Sequence, residues 1–169
     1  MTNNTQTDEK DLLLKNMLSQ TDFLNTDIEK LKKSDKVKSY FVFKPDDEFR
    51  FCHEAAVTEY HGRLIAAWYN NRKSELIGYT PIRFAVSEDE GKSWSLPKTV
   101  ADDPSEKILY CPPVFGTEND RLYMFLNQMT APDHIHSLDL YIYNEDENEF
   151  GLLWSKPIPF KLNTNVYKT

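Results

Sequence analysis

Glycine, cysteine and long apolar runs are all scarce in this chain. Its five glycines are few for an all-β protein. Two cysteines, Cys52 and Cys111, fall short of the framework that staples a small secreted domain, so two free thiols, buried or half-buried, are expected instead. No apolar run approaches the ~20 residues that a membrane-spanning helix needs. Residues 1–11 are polar and acidic, without the basic and apolar regions of a secretory leader, which points to a cytoplasmic protein. A net charge of −7, with mixed signs and no basic patch, speaks against a nucleic-acid surface. Neither a membrane nor a nucleic-acid partner is expected, and no motif calls for a cofactor or a metal.

Aromatic and β-branched residues are plentiful. Val, Ile, Tyr, Phe and Trp concentrate after residue 37, which favours strands, and 169 residues suffice for one domain. Before that point Leu13, Met17, Leu24, Ile28 and Leu31 fall near helical spacing. Thr26-Asp27-Ile28-Glu29 reads as a capping box that starts a short helix running to about Lys33. Residues 1–36 are therefore expected to form a helical or partly disordered extension, and residues 37–169 a β domain.

From Val37 the period is that of strands. Candidates are 37–43, ended by Pro45-Asp46-Asp47; 53–60; 64–69, after a His61-Gly62 turn; 82–87; and 93–100, broken by Pro97. The pattern then returns. Gly62-Arg63-Leu64 matches Asp120-Arg121-Leu122 at an offset of 58, Ala85-Val86-Ser87 matches Ile142-Tyr143-Asn144 at 57, and Trp94-Ser95-Leu96-Pro97 matches Trp154-Ser155-Lys156-Pro157 at 60. Cys52-His53-Glu54 is echoed within 108–113, and 158–167 looks like the opening of a third copy. A period in this range marks a propeller or an array. The units expected are about 37–101, about 108–160 and the start of a third at about 161–169. Two units do not close a ring, so the chain is expected to be the N-terminal part of a longer protein and inactive alone.

Between two of these strands lies Ser87-Glu88-Asp89-Glu90-Gly91-Lys92-Ser93-Trp94. Asp89 can fold its carboxylate onto backbone N–H groups, and Gly91 supplies a positive φ. The second copy, Glu145-Asp146-Glu147, is degenerate, with Asn148 near the place of the glycine and a longer turn. The spacing S-x-D-x-G-x-S-W resembles the Asp-box, or BNR repeat, of the sialidase (neuraminidase) superfamily. Over about Phe49 to Tyr167 the chain resembles bacterial exo-α-sialidase-like proteins. The resemblance implies an all-β fold, a partial β-propeller of about two four-stranded blades from a six-bladed family, with a short N-terminal helical extension. It implies a glycoside hydrolase acting on terminal acidic sugars of glycans, with an arginine cluster for the carboxylate, an Asp acid/base and a Tyr–Glu nucleophile pair, an exception to the two-carboxylate rule.

Carried over, the resemblance is mixed. The family's F-R-I-P motif reads Phe49-Arg50-Phe51-Cys52 here, which makes Arg50 the carboxylate binder. The D-x-R pattern reads Asn70-Asn71-Arg72, which keeps the arginine and loses the Asp. An amide cannot donate a proton as a carboxylic acid can. His53 with Glu54 is therefore the second candidate for acid/base work, since a His beside a carboxylate can titrate near neutrality.

In a four-stranded meander the start of strand one and the loop after strand two share a top face, and the Asp89 turn lies on the opposite one. The turn is accordingly read as structural; as a calcium loop it lacks spaced oxygens. The top face collects Arg50, Cys52, His53, Glu54, Asn70, Asn71, Arg72 and Glu75, then Tyr110, Cys111, Asn127, Gln128, Asp133, His134 and His136. Of these, Arg50, Asn71, Arg72, Gln128, Asp133 and His134 are the expected substrate-binding residues, suited to an anionic, polyhydroxylated sugar such as sialic acid. His134 and His136 could share a strand face as a metal pair, but contact with sugar or loop is the favoured reading. Two alternatives stay open: a non-catalytic sugar-binding propeller, and a propeller enzyme of another glycan chemistry that uses His53.

Overall fold

The computed structural model describes residues 38–131 and 134–157. The expected N-terminal helix and the opening of a third repeat lie outside the described residues. Contacts divide the chain between Ser39 and Tyr40, and both sheets belong to the second unit, Tyr40–Thr169.

The described chain is all-β. Strands β1 (Phe51–Tyr60), β2 (Arg63–Asn71), β3 (Ile82–Ser87) and β4 (Lys98–Ala101) form one antiparallel sheet in sequence order. Strands β5 (Leu109–Glu118), β6 (Arg121–Ala131), β7 (His134–Asn144) and β8 (Glu149–Pro157) form a second in the same way. The hairpins β1–β2 and β5–β6 close on two-residue turns with positive φ throughout, 49° and 77° at His61 and Gly62, 50° and 57° at Asn119 and Asp120. Such turns match the right-handed twist of the flanking strands.

The repeat is a repeat of pairing. Phe51↔Asn71 becomes Leu109↔Met129, and Tyr60↔Arg63 becomes Glu118↔Arg121, an offset of 58 throughout the ladder. Both first strands also bulge at the same place, between His53 and Ala56 and between Cys111 and Val114. Glu54 sits in the first bulge at φ 47°, and Pro112 and Pro113, which have no N–H to give a ladder, occupy the second.

The sheets stack on unlike faces. The shared core takes Ile65, Ala67 and Tyr69 from β2 but Leu122, Met124 and Leu126 from β6. Shifted by 58, the β2 residues become Tyr123, Phe125 and Asn127, which alternate with the core positions of β6. The third strands behave alike: Phe84 and Val86 of β3 meet Tyr141 and Tyr143 of β7, with Phe84 edge-on to Phe150 at 5.1 Å and to Tyr143 at 6.4 Å. The stacking is head-to-tail. On its outer face the first sheet buries Ala66, Trp68 and Ala85 under Val42, Phe43 and Trp94, with Phe43 stacked on Trp68 at 5.7 Å.

Four sequence expectations change. Residues 38–43 are not a strand; Phe41-Val42-Phe43 is a contiguous apolar run without a period of two, and it packs through side chains alone. The 93–100 strand shrinks to Lys98–Ala101, because residues 93–97 serve the turn before it. The third-strand match moves by one residue: Leu64↔Ser87 and Ile65↔Val86 correspond to a ladder containing Tyr123↔Ile142, so Val86 corresponds to Ile142 and Ser87 to Tyr143. The second turn is shorter than the first, since 145–148 join β7 to β8 where 88–97 join β3 to β4.

Candidate functional site

Antiparallel pairing brings the start of β1 beside the end of β2, and the start of β5 beside the end of β6. We call this the top end. The hairpin tips and the 87–95 turn form the bottom end.

At the bottom end the acidic turn is closed upon itself. Ser87 Oγ donates to Asp89 Oδ1 at 2.9 Å and accepts from the Gly91 N–H at 2.8 Å. Asp89 also accepts from the Ser93 N–H at 2.8 Å and from Ser93 Oγ at 2.6 Å. The Trp94 ring N–H donates to the Gly91 carbonyl at 3.1 Å, and the Ser95 N–H to the Val86 carbonyl at 2.9 Å. The Ser93 bonds, then that from Ser87, hold the Asp89 carboxyl down at about 2. Its oxygens are spent on the turn. Nearby, His61 reaches across to the second sheet, with Nδ1 2.8 Å from Glu145 Oε2 and Nε2 3.0 Å from Asp120 Oδ1; both bonds raise its pKa. Arg63 adds ion pairs to Glu88 at 3.4 Å and Glu145 at 3.5 Å.

At the top end Tyr69 is fully buried, opposite His53 in the ladder. His53 Nδ1 is 3.0 Å from Tyr69 Oη and 3.4 Å from Glu75 Oε1. Glu54 turns away from His53, through the bulge, and accepts from the Cys111 thiol of the second sheet. The carboxylate beside His53 is thus Glu75, from the β2–β3 loop, and not its sequence neighbour. Burial raises the Tyr69 phenol strongly, helped by Cys111 and Glu75. Burial likewise raises the Cys111 thiol, and the bond to Glu54 adds to it. Both groups are held neutral, which does not suit them as nucleophiles. Both cysteines are free.

The other expected residues separate into exposed and structural ones. Arg50 is exposed and makes no ion pair among the described residues. Arg72 lies over the Tyr79 ring at 5.1 Å and pairs with Glu106 at 3.5 Å. Tyr79, pushed up to about 12 by burial and then by its bond to Asp102, ties the same loop to the connection before β5. Asn71 is used by this loop: it accepts from the Lys73 and Ser74 N–H groups and donates to the Ile77 and Tyr79 carbonyls. Asn70 is equally committed, accepting from Trp68 Nε1 at 3.0 Å and Arg83 Nη1 at 3.4 Å, and donating to Cys52 Sγ at 3.1 Å. Gln128 donates to Asp139, which is fully buried and also bonded by Ser137. His134 and His136 are exposed at the start of β7, and Asp133 lies outside the described residues.

Sequence reasoning passed over Tyr69 and Arg83, because both fall on strand positions that read as packing. Arg83 is a half-buried arginine whose guanidinium sits 5.1 Å from the rings of both Phe43 and Phe49. A cleft of about 360 Å³ opens beside this end, bounded by Tyr40–Phe43, Cys52–Ala55, Val57, Ala66 and Trp68. Among the described residues no three His, Cys, Asp or Glu side chains are grouped to hold a metal ion. Compared with models of known protein families and with curated proteins, the chain matches none.

Proposed function

We propose that the chain is a portion of a sialidase-type β-propeller whose top end serves an exo-α-sialidase-like glycoside hydrolase, acting on terminal acidic sugars of glycans. The observation that carries this reading is the head-to-tail stacking of two sheets with one ladder. A step that joins unlike faces can be repeated, and closes a ring where its rotation allows, whereas a two-sheet sandwich joining like faces stops at two. The self-bonded turn at the bottom end, with its S-x-D-x-G-x-S-W spacing, agrees with an Asp-box that fixes hairpins and leaves the chemistry to the opposite end. There Arg50 and Arg72 offer planar forks for a sugar carboxylate. The Arg72–Glu106 pair is exposed on both sides and is readily exchanged for a ligand. His53, half exposed, is the candidate acid/base.

A specific observation favours the second reading, a sugar-binding propeller without catalysis. Asn70, at the position of the family's Asp, is buried and committed to four neighbours, so no carboxylic acid acts there. Incubation of the complete ring with a fluorogenic α-sialoside separates the two. Release of fluorophore that is lost in His53→Ala supports the hydrolase. Binding without turnover selects the second reading, and absence of both contradicts both.

A further inference from the structure

We propose that the outer edge of β8 is a self-association surface, on which two copies of the chain pair their β8 strands antiparallel about a two-fold axis at Leu152. The inference goes beyond the reading of the top end and does not depend on any sugar. It starts from an edge left open. β8 is bonded to β7 on one side, and no described strand pairs with its other side. It is nine residues long, and seven of them are exposed, Leu152 at 56% and Leu153 at 52%. The last strand of the first sheet, β4, has only four residues. Sheet edges are commonly blunted by charge, yet the run from Phe150 to Ser155 carries none.

The order of residues along the edge points to a second copy. In the β7–β8 ladder Glu149, Gly151, Trp154 and Lys156 oppose Asn144, Ile142, Leu140 and Leu138, which are alternate residues on one face of β7. In a regular strand Glu149 and Lys156, an odd number of residues apart, would lie on opposite faces. The irregularity opposite Leu140 and Tyr141 leaves Leu153 as an additional residue of β8 and brings the two charges to one face. The strand is then complementary to itself. Turned about a two-fold axis at Leu152, Glu149 of each copy faces Lys156 of the other, and Gly151 faces Trp154. Every such pair shares a face, as an antiparallel ladder requires. Opposite charges across strands attract, and neither Glu149 nor Lys156 makes an ion pair among the described residues. A Cβ at Gly151 would meet nothing within 4 Å, so there is room above it for the indole of the other copy. An aromatic ring laid across an edge glycine covers its bare backbone. Because the contact is isologous, each of these pairs occurs twice.

The test is mass against concentration. In sedimentation velocity the full 169-residue chain should rise from 19.8 kDa toward twice that mass as it is concentrated. A paired strand edge is smaller than a standard interface, so dissociation is expected in the micromolar range or weaker. Glu149→Lys and Lys156→Glu each set like charges opposite one another at two contacts and should weaken the dimer about tenfold. The double variant restores opposite charges in reversed order and should regain the wild-type dissociation constant. Leu152→Lys places two cations on the axis and should leave only monomer. All three sites are exposed, so the variants should keep the urea midpoint of the monomer. If one of the charge variants fails to fold, Leu152→Lys decides alone. A wild-type chain that stays monomeric to about 1 mM overturns the proposal. So do single variants that dimerise as the wild type does, or a double variant no tighter than the singles.

Discussion

The two sheets have the same first hairpin and different last ones. In the first sheet, β3 and β4 are joined by a long turn that closes on Asp89, Ser87 and Ser93 and lays Trp94 back on Gly91. In the second, β7 and β8 are joined by 145–148, where Asn144 caps the turn and Asn148 accepts from the Tyr143 hydroxyl at 2.9 Å. The first turn is stabilised from within. The second is stabilised by its neighbours, since Glu145 receives His61 and Arg63, and Lys98 donates to the carbonyls of Glu147 and Asn148. A degenerate copy of a motif can therefore keep its place in the fold when the first hairpin and last strand of the sheet beside it supply the partners.

The largest effect expected comes from the face that the sheets share. Phe84→Ala empties a site in contact with Tyr143 and Phe150 and should cost about 3–5 kcal/mol, seen as a fall in the urea midpoint. Phe125→Ala, on the other face of β6 and half-buried, should cost about half of that or less. Equal losses would mean that the two faces are equivalent and that the stacking is not head-to-tail.

A smaller effect separates the two turns. Gly91 has φ 84°, and a Cβ there would come within 3.4 Å of Leu64 and 3.7 Å of Trp94. Gly91→Ala should destabilise by about 1–2 kcal/mol in thermal or urea unfolding. An unchanged midpoint would show that the turn does not depend on its internal geometry.

The smallest effects are in pH dependence, and they have opposite signs. Asp89 titrates lower in the folded chain, so its contribution is present above the ordinary value of 3.8 and is lost as pH falls toward about 2. Asp89→Asn should flatten the acid limb of stability. His61 titrates higher in the folded chain, so its contribution is present below the ordinary 6.5 and is lost as pH rises through its raised value. His61→Gln should remove a decline in stability on the alkaline side of 6.5, measured by urea titration across that window. A decline that persists in the variant would place its source elsewhere.

Much of the fold was legible because it depends on local chemistry. His61-Gly62 and Asn119-Asp120 are residues that tolerate positive φ, and the alternation around them sets the strands. The 38–43 segment misled because β-favouring composition does not supply a partner. The site was legible in residue type and not in pairing. Glu54 follows His53 in the chain, yet the bulge sends it to Cys111, and Glu75 takes its place from a loop. Asn71 and Gln128 suit a sugar by type but are used by the loop and by Asp139. A sequence shows which groups can bond; only the folded chain shows which are already bonded.

The central claim is that ligand chemistry belongs to the top end and the acidic turn is structural. The direct test is an amide chemical-shift titration of the chain with a methyl α-sialoside. The account predicts shifts at Arg50, His53, Glu54 and Arg72, and none over Ser87–Ser95 or 144–149. Shifts confined to the acidic turn, or none at the top end at saturating sugar, would contradict it.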